Sequence, residues 1–282
     1  MNASPYTLFI KPVLFFSICL LIATTTFAQS PVLDVDENTF GAIEARQIGP
    51  AAMSGRVAAL DAYGKDPRLM YVGAAGGGVW KSKNGGTTFK AVFEDHPQSI
   101  GAIAINQQHP DTVWVGTGEP WVRNSVSVGT GIYKTTNGGE KWGLMGLPNS
   151  ERIARIVLHP TNHDIVYVAV LGHLWNANQD RGIYQTTDGG KTWNKILYVD
   201  ENTGAADICI HPNNPNILYA GMWDYRRQPH TFRSGGKGSG LYQSNDAGKT
   251  WKKLSGKGLP EGELGRISVA VSPVAPYATY TL

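Results

Sequence analysis

From Val57 onward, short apolar runs return in a fixed order, separated by glycine, proline and Asn/Asp turns. The first kind of run is small and apolar throughout: Val57-Ala58-Ala59-Leu60, Ile103-Ala104-Ile105, Ile153 to Leu158, and Ile208-Cys209-Ile210. A Pro-containing turn follows each (Asp66-Pro67, His109-Pro110, His159-Pro160, His211-Pro212). The second kind is Leu69-Met70-Tyr71-Val72, Val113-Trp114-Val115, Val166-Tyr167-Val168 and Leu218-Tyr219-Ala220. The third begins Gly-aliphatic-aromatic, at Gly78-Val79-Trp80, Gly131-Ile132-Tyr133, Gly182-Ile183-Tyr184 and Gly240-Leu241-Tyr242. Each set closes on an octapeptide ending in a large ring, at residues 82–89, 135–142, 186–193 and 244–251, whose starts lie 53, 51 and 58 residues apart. Runs this short, bounded by turn residues, read as strands.

Repetition at this period predicts four antiparallel strands per unit, a to d, and four-stranded units in series predict an all-β fold of the β-propeller class. Strand a is expected to be fully buried, and strand b to alternate and end in Gly or Ala. The units read as residues 55–93, 100–147, 152–199 and 205–254, with an incomplete one at 266–282. About four and a third units are thus present. They form either a four-bladed ring with an extra hairpin or the front of a longer propeller whose remaining blades lie elsewhere; the second is the expectation. An open sheet edge left by missing blades invites aggregation.

The octapeptide has its own mechanism. Asn84, Asn137, Asp188 and Asp246 are placed to accept hydrogen bonds from backbone N–H groups of their own turn. The glycines after them permit positive φ. Phe89, Trp142, Trp193 and Trp251 then return a ring to the sheet. These residues are expected to be structural.

Composition narrows the class further. Gly accounts for 34 of 282 residues and only 17% are charged, against about 25% in an average soluble protein. A net charge of +3 with no like-charge block gives no nucleic-acid surface. Residues 1–28 read as a signal peptide: Lys11 is the sole charge, Val13 to Ala23 is almost wholly apolar, and Thr26-Phe27-Ala28 is a small-residue cleavage site. The alternative is a retained N-terminal anchor. The apolar run is short for a span, and no membrane span is expected after the leader is removed. A segment at 29–45 leads into the repeats, and the product is expected to be secreted or periplasmic. Cys19 falls in the leader, and Cys209 reads as a buried strand thiol with no partner for a disulfide.

The octapeptides resemble the Asp-box (BNR-like) motif, Ser/Thr-x-Asp-x-Gly-x-Thr-Trp, of sialidase-like and sortilin-like propellers. Arg46-Gln47-Ile48-Gly49-Pro50, Ser54-Gly55-Arg56-Val57 and Gly76-Gly77-Gly78-Val79-Trp80-Lys81-Ser82 resemble the start of large exported bacterial propellers. Those are described as sortilin/Vps10 N-terminal-domain or BNR-repeat "glycosyl hydrolase" proteins. Gly116-Thr117-Gly118-Glu119, Arg123-Asn124-Ser125 and Arg181-Gly182 are similar too, so the resemblance covers roughly residues 46–282. It implies a seven-bladed type of propeller and a noncatalytic module for a protein, peptide or glycan, with a glycoside hydrolase of the xyloglucanase or sialidase kind as the alternative. In the xyloglucanase-like relatives a catalytic Asp stands just before the first strand a, where this chain has Ser54. The Arg-Ile-Pro start of sialidase relatives is replaced by Arg46-Gln47-Ile48-Gly49-Pro50.

Strand order puts the a–b and c–d turns on one face and the b–c loops on the other. The second to fourth b–c loops lengthen: Gly116 to Gly131, Leu171 to Gly182 and Gly221 to Gly240. Long loops on a rigid scaffold are where binding concentrates. Trp121, Arg123, Asn124, His173, Trp175, Arg181, Trp223, Arg226 and Arg227 are the candidate ligand contacts, since Trp and Arg suit sugar rings or peptide side chains. The competing reading is that they brace one another. Glu119, Asp180 and Asp224 are the candidate catalytic acids, each beside an Arg expected to hold it ionised. No metal site is expected, because Pro160 denies His159 and His163 a shared helical face, and no cofactor fingerprint appears.

Overall fold

The computed structural model describes residues 55–256, 258–274 and 279–281. The expected leader at 1–28, the segment 29–45, Arg46 and Ser54 lie outside the described residues. Among these residues every regular element is a strand. The first sheet is β1 (Val57–Ala62), β2 (Met70–Ala74), β3 (Gly78–Ser82) and β4 (Lys90–Ala91). The second is β5 (Ile100–Ile105), β6 (Val113–Thr117), β7 (Ile132–Thr135) and β8 (Gly143–Gly146). The third is β9 (Ile153–Leu158), β10 (Val166–Val170), β11 (Gly182–Thr186) and β12 (Asn194–Leu197). The fourth is β13 (Thr203–His211), β14 (Asn214–Arg227), β16 (Gly240–Ser244) and β17 (Lys252–Lys253), with β15 (Phe232–Ser234) paired to the far end of β14. β18 (Val269–Val271) and β19 (Thr279–Thr281) form a two-stranded sheet. Each of the first three sheets is an antiparallel meander in chain order, as the repeats require.

Successive sheets pack face to face. Tyr71, Val79 and Phe93 meet Ile100, Ile103, Val113 and Val115, while Trp114 and Ala104 turn the other way onto Ile153, Ile156 and Val168. Strand b is therefore apolar on both sides because each side has its own neighbour, one sheet before it and one after. Its terminal glycine is a packing requirement: a Cβ on Gly116 would lie 2.4 Å from Ile153 Cγ2, and one on Gly73 would lie 2.5 Å from Ile100 Cγ2. The first strand of the next sheet approaches too closely for any side chain.

Strand a is fully buried in β5, as expected, but β1 is not: Val57 is 63% and Leu60 62% exposed. β1 has a described sheet on one side only; β9, packed between β5 and β13, is also only partly buried and leaves Arg155 exposed. Cys209 sits on β13 as expected but is half-buried; burial, reinforced by Asp207, pushes its thiol up to about 12.

The octapeptides close as the sequence requires. In each, the first residue's hydroxyl donates to the Asn/Asp carbonyl or carboxylate oxygen at 2.8–3.0 Å, and that oxygen accepts the N–H four residues on at 2.9–3.0 Å. Asp188 and Asp246 also accept the hydroxyls of Thr192 and Thr250 at 2.6 Å, bonds that hold both carboxyls well below the usual range, Asp246 to about 2. A backbone bond ties each c–d turn to the a–b turn of its own sheet: Gly85 N to Arg68 O, Gly138 N to Asp111 O, Gly189 N to Asp164 O and Ala247 N to Asn216 O. The two kinds of short turn share one end of the sheets, which leaves the other end to the long loops.

Candidate functional site

On the long-loop end the structure builds a second, smaller core. Leu171, Leu174, Ala206, Trp223 and Tyr225 are buried together, with Val122 and Val126 of the β6–β7 loop laid over them. That loop reaches every neighbouring sheet. Glu119 pairs with Arg56 before β1, Gly129 N donates to Glu151 O before β9 at 2.8 Å, and Asn124 joins the β14–β15 hairpin. Arg266, ahead of β18, stacks on Trp121 and reaches Pro120 O.

The fourth b–c connection is corrected from a loop to a hairpin. β14 runs on through Trp223, Asp224, Arg226 and Arg227, and Tyr225 to Arg227 pair with Phe232 to Ser234. Alternation along Met222–Arg227 sends Trp223 and Tyr225 into the small core, where their rings stack at 4.6 Å. Trp223 is 4% exposed and its indole donates to Ser234 Oγ at 3.1 Å.

Several candidate contacts prove to be braces. Arg181 is completely buried. Its guanidinium donates to Asn178 Oδ1 (3.0 Å), Asn202 O (3.1 Å), His173 O (2.7 Å) and Asn176 O (3.3 Å), and lies 4.5 Å over the Tyr225 ring. Burial lowers its pKa. Arg226 ties Trp175 O to Asn202 Oδ1, Arg227 Nε donates to Asn124 Oδ1 at 2.5 Å, and His173 bridges Asn176 and Asn149 O. Arg152, which sequence reading missed, is equally buried and donates to Glu151 and Gly172 O. Its equivalence to Arg56 and Arg266, each just ahead of a strand a, was the available signal.

The acids divide. Glu119 is 2% exposed and accepts the Arg56 guanidinium, Nε at 2.7 Å, so its partner is Arg56 and not its neighbour Arg123. Asp224 accepts Arg233 Nη2 at 2.7 Å. Burial raises its pKa and outweighs Arg233, with Asp200 and Glu263 adding to the rise. Asp180 is half-buried and meets the Asn178 amide at 3.4 Å, because the adjacent Arg181 turns inward to its carbonyls.

What remains outward are Trp121 at 51% and Trp175 at 47% exposure, with Arg123. Trp121 is the free end of a stack: Arg266 lies 4.8 Å from its ring and 5.7 Å from that of Trp223, Trp223 stacks on Tyr225, and Tyr225 rests on Arg181. Alternating rings and cations are mutually attractive and stiff. Among the described residues no group of three or more His, Cys, Asp or Glu is placed to hold a metal ion.

Fold and loop face together define a repeat β-propeller whose long-loop end carries exposed indoles on a braced base. The model for the family Sortilin-Vps10 (sortilin, neurotensin receptor 3) matches residues 77–197 and again, about one repeat later, 130–260. The chain belongs to that family. It is also similar to a xyloglucanase of Paenibacillus sp, 23% identical over 69% of this chain and 20% of that protein, and to a xyloglucanase of Hypocrea jecorina, 27% identical over 69% and 19%. An ancestral GH74 enzyme superposes with a TM-score of 0.60 at 20% identity, over 80% of this chain and 29% of the other, a likeness of fold. The chain spans about one fifth of the length of the curated relatives it matches.

Proposed function

We propose that this protein is an exported glycan-binding propeller whose long-loop face holds a polysaccharide chain against Trp121 and Trp175. The observation that carries this reading is Trp121: half its surface faces outward while its inner face is backed by Arg266, Trp223, Tyr225 and Arg181. A flat apolar ring fixed in place suits the C–H face of a pyranose, because little conformational entropy is lost on contact. The xyloglucanases among its relatives act on a polysaccharide of that kind. Titration of the protein with xyloglucan oligosaccharides, followed by calorimetry, tests it. Trp121→Ala and Trp175→Ala are each expected to weaken binding about tenfold, equivalent to roughly 1.4 kcal/mol, with Trp175→Ala leaving the melting midpoint in place. Unchanged affinity in both variants overturns the reading.

One observation favours a second reading, a glycoside hydrolase. Asp224, though paired with Arg233, has its carboxyl raised by burial, a shift in the direction a general acid requires. Glu119 is paired with Arg56. Release of reducing ends from xyloglucan, lost in Asp224→Asn, would establish the hydrolase; under the binding reading this chain releases none.

A further inference from the structure

A groove of about 1170 Å³ opens between the first and second sheets, lined by β4 and the residues after it on one side and by residues 136–142 of the second octapeptide on the other. Four lysines gather at its short-turn end. Lys81 and Lys90 stand opposite one another on β3 and β4, Lys83 follows on the same hairpin, and Lys141 lines the other wall. Lys81 is half-buried, with its Nζ fixed on Gly138 O at 2.8 Å, while Lys83, Lys90 and Lys141 are exposed. The acids at this end are Asp111 and Glu140; Glu94 and Asp95 line the other end. Among the described residues none of the four lysines forms an ion pair. Burial lowers the Lys81 pKa, and Lys83 and Lys90 lower it further against the opposing pull of Asp111 and Glu140.

The repeat itself does not call for these lysines. At the places of Lys81, Lys83, Lys90 and Lys141, the junction of the second and third sheets has Lys134, Thr136, Gly143 and Thr192. The junction of the third and fourth has Gln185, Thr187, Asn194 and Thr250. Lys141 also gives up a bond. Thr88, Thr192 and Thr250 each engage the Asn/Asp side chain of their own turn through the hydroxyl at 2.6–2.9 Å, whereas Lys141 brings its backbone N–H alone, at 3.0 Å from Asn137 Oδ1. Cations placed where the turn is better bonded without them point to something outside the fold. Ammonium groups gathered without carboxylate partners repel one another, and a shared oxyanion relieves that repulsion through charge-assisted hydrogen bonds.

We propose that the short-turn end of this groove binds a tetrahedral oxyanion, a sulfate or phosphate ester, held by Lys83, Lys90 and Lys141 beside the anchored Lys81. The groove exceeds the roughly 300–1,000 Å³ of sites for drug-sized ligands, so the ester is carried on a larger group, with the half-buried Trp142 ring as an apolar wall. The site is separate from Trp121 and Trp175 and does not depend on the polysaccharide reading of that face.

Calorimetric titration with glucose 6-sulfate and, separately, glucose 6-phosphate tests it, with glucose at the same ionic strength as the control. The expected result is saturable binding of one or both esters, at least about tenfold tighter than glucose. Lys83→Thr and Lys141→Thr are each expected to weaken it about tenfold, and the two combined with Lys90→Asn to abolish it. Those are residues the later sheets carry at the same places, so the melting midpoint without ligand is expected to hold, and to rise in Lys141→Thr as the turn bond is restored. The preferred ester identifies the source of the oxyanion. Failure of both esters to bind, or binding retained in the triple variant, overturns the site. A lowered midpoint in Lys141→Thr overturns the argument that this lysine stands at the expense of its turn.

Discussion

At the scale of single residues, the four octapeptides contain their own control experiment. Asn84 and Asn137 make the turn bonds with a group that does not titrate, whereas Asp188 and Asp246 make them with carboxylates whose pKa is lowered by those bonds. A carboxyl depressed in the folded state contributes stability above its unfolded pKa, about 3.9, and that contribution is lost as pH falls through the folded value. For Asp246 the window runs from about 4 down to about 2. Hydrogen exchange between pH 4 and pH 2 is therefore expected to loosen the third and fourth hairpins before the first and second. Asp188→Asn with Asp246→Asn should abolish the difference. Arg181 obeys another rule. Its truncation to Ala would strand three buried or half-buried acceptors and the Tyr225 ring at once, so a loss of about 3 kcal/mol or more in chemical denaturation is expected. Loss of ligand binding in that variant would follow the loss of fold.

At the scale of elements, the closing rings of the second and third octapeptides bond to the sheet before them. The Trp142 indole donates to Val92 O at 2.6 Å and Trp193 to Met145 O at 2.8 Å, each on the last strand or its edge in the preceding sheet. Trp251 instead donates to Gly248 O of its own turn at 3.1 Å. Trp193→Ala is expected to cost about 3 kcal/mol, less than a fully buried ring would, since Trp193 is half-buried. Trp251→Ala should keep the inter-sheet bonds and cost less. Paired denaturation curves of the two variants decide it, and equal losses would contradict the inter-sheet role. Phe89, the first ring of the series, is 43% exposed because no described sheet precedes it.

At the scale of the molecule, stability rests on how closely the first strand of one sheet approaches the one before. A Cβ on Gly101 of β5 would lie 2.1 Å from Ile153 O, a backbone atom that cannot swing aside. Gly101→Ala is expected to cost about 1–3 kcal/mol through overpacking, read as a lowered thermal midpoint, and to disturb the second and third sheets together. Tolerance of Ala there would mean that the sheets can separate without penalty. The loop face depends on the same spacing: the β6–β7 loop holds contacts with residues ahead of β1, β9 and β18 and with the β14–β15 hairpin, so parted sheets would release Trp121 from Arg266.

The sequence alone was sufficient for the four strands of each repeat, their order, the turn chemistry and the two faces, though not for β15, because each is set within one repeat: apolar runs make strands, Asx-Gly makes the turn, and strand order puts the long loops together. It placed Trp121 and Trp175 on the long-loop face only together with Trp223, as equal candidates. Tertiary structure alone decided which loop residues are free. Arg181 and Arg226 have the same composition as a ligand site, but neighbouring elements deliver carbonyls and rings to them from residues 21 to 51 positions away, such as Asn202, Tyr225 and Trp175. The pairing of Glu119 with Arg56, 63 residues distant, and the rise of Asp224 despite Arg233 arise in the same way. Spacing along a chain reports what can meet within a repeat, while burial and partner choice depend on which repeats come to lie side by side.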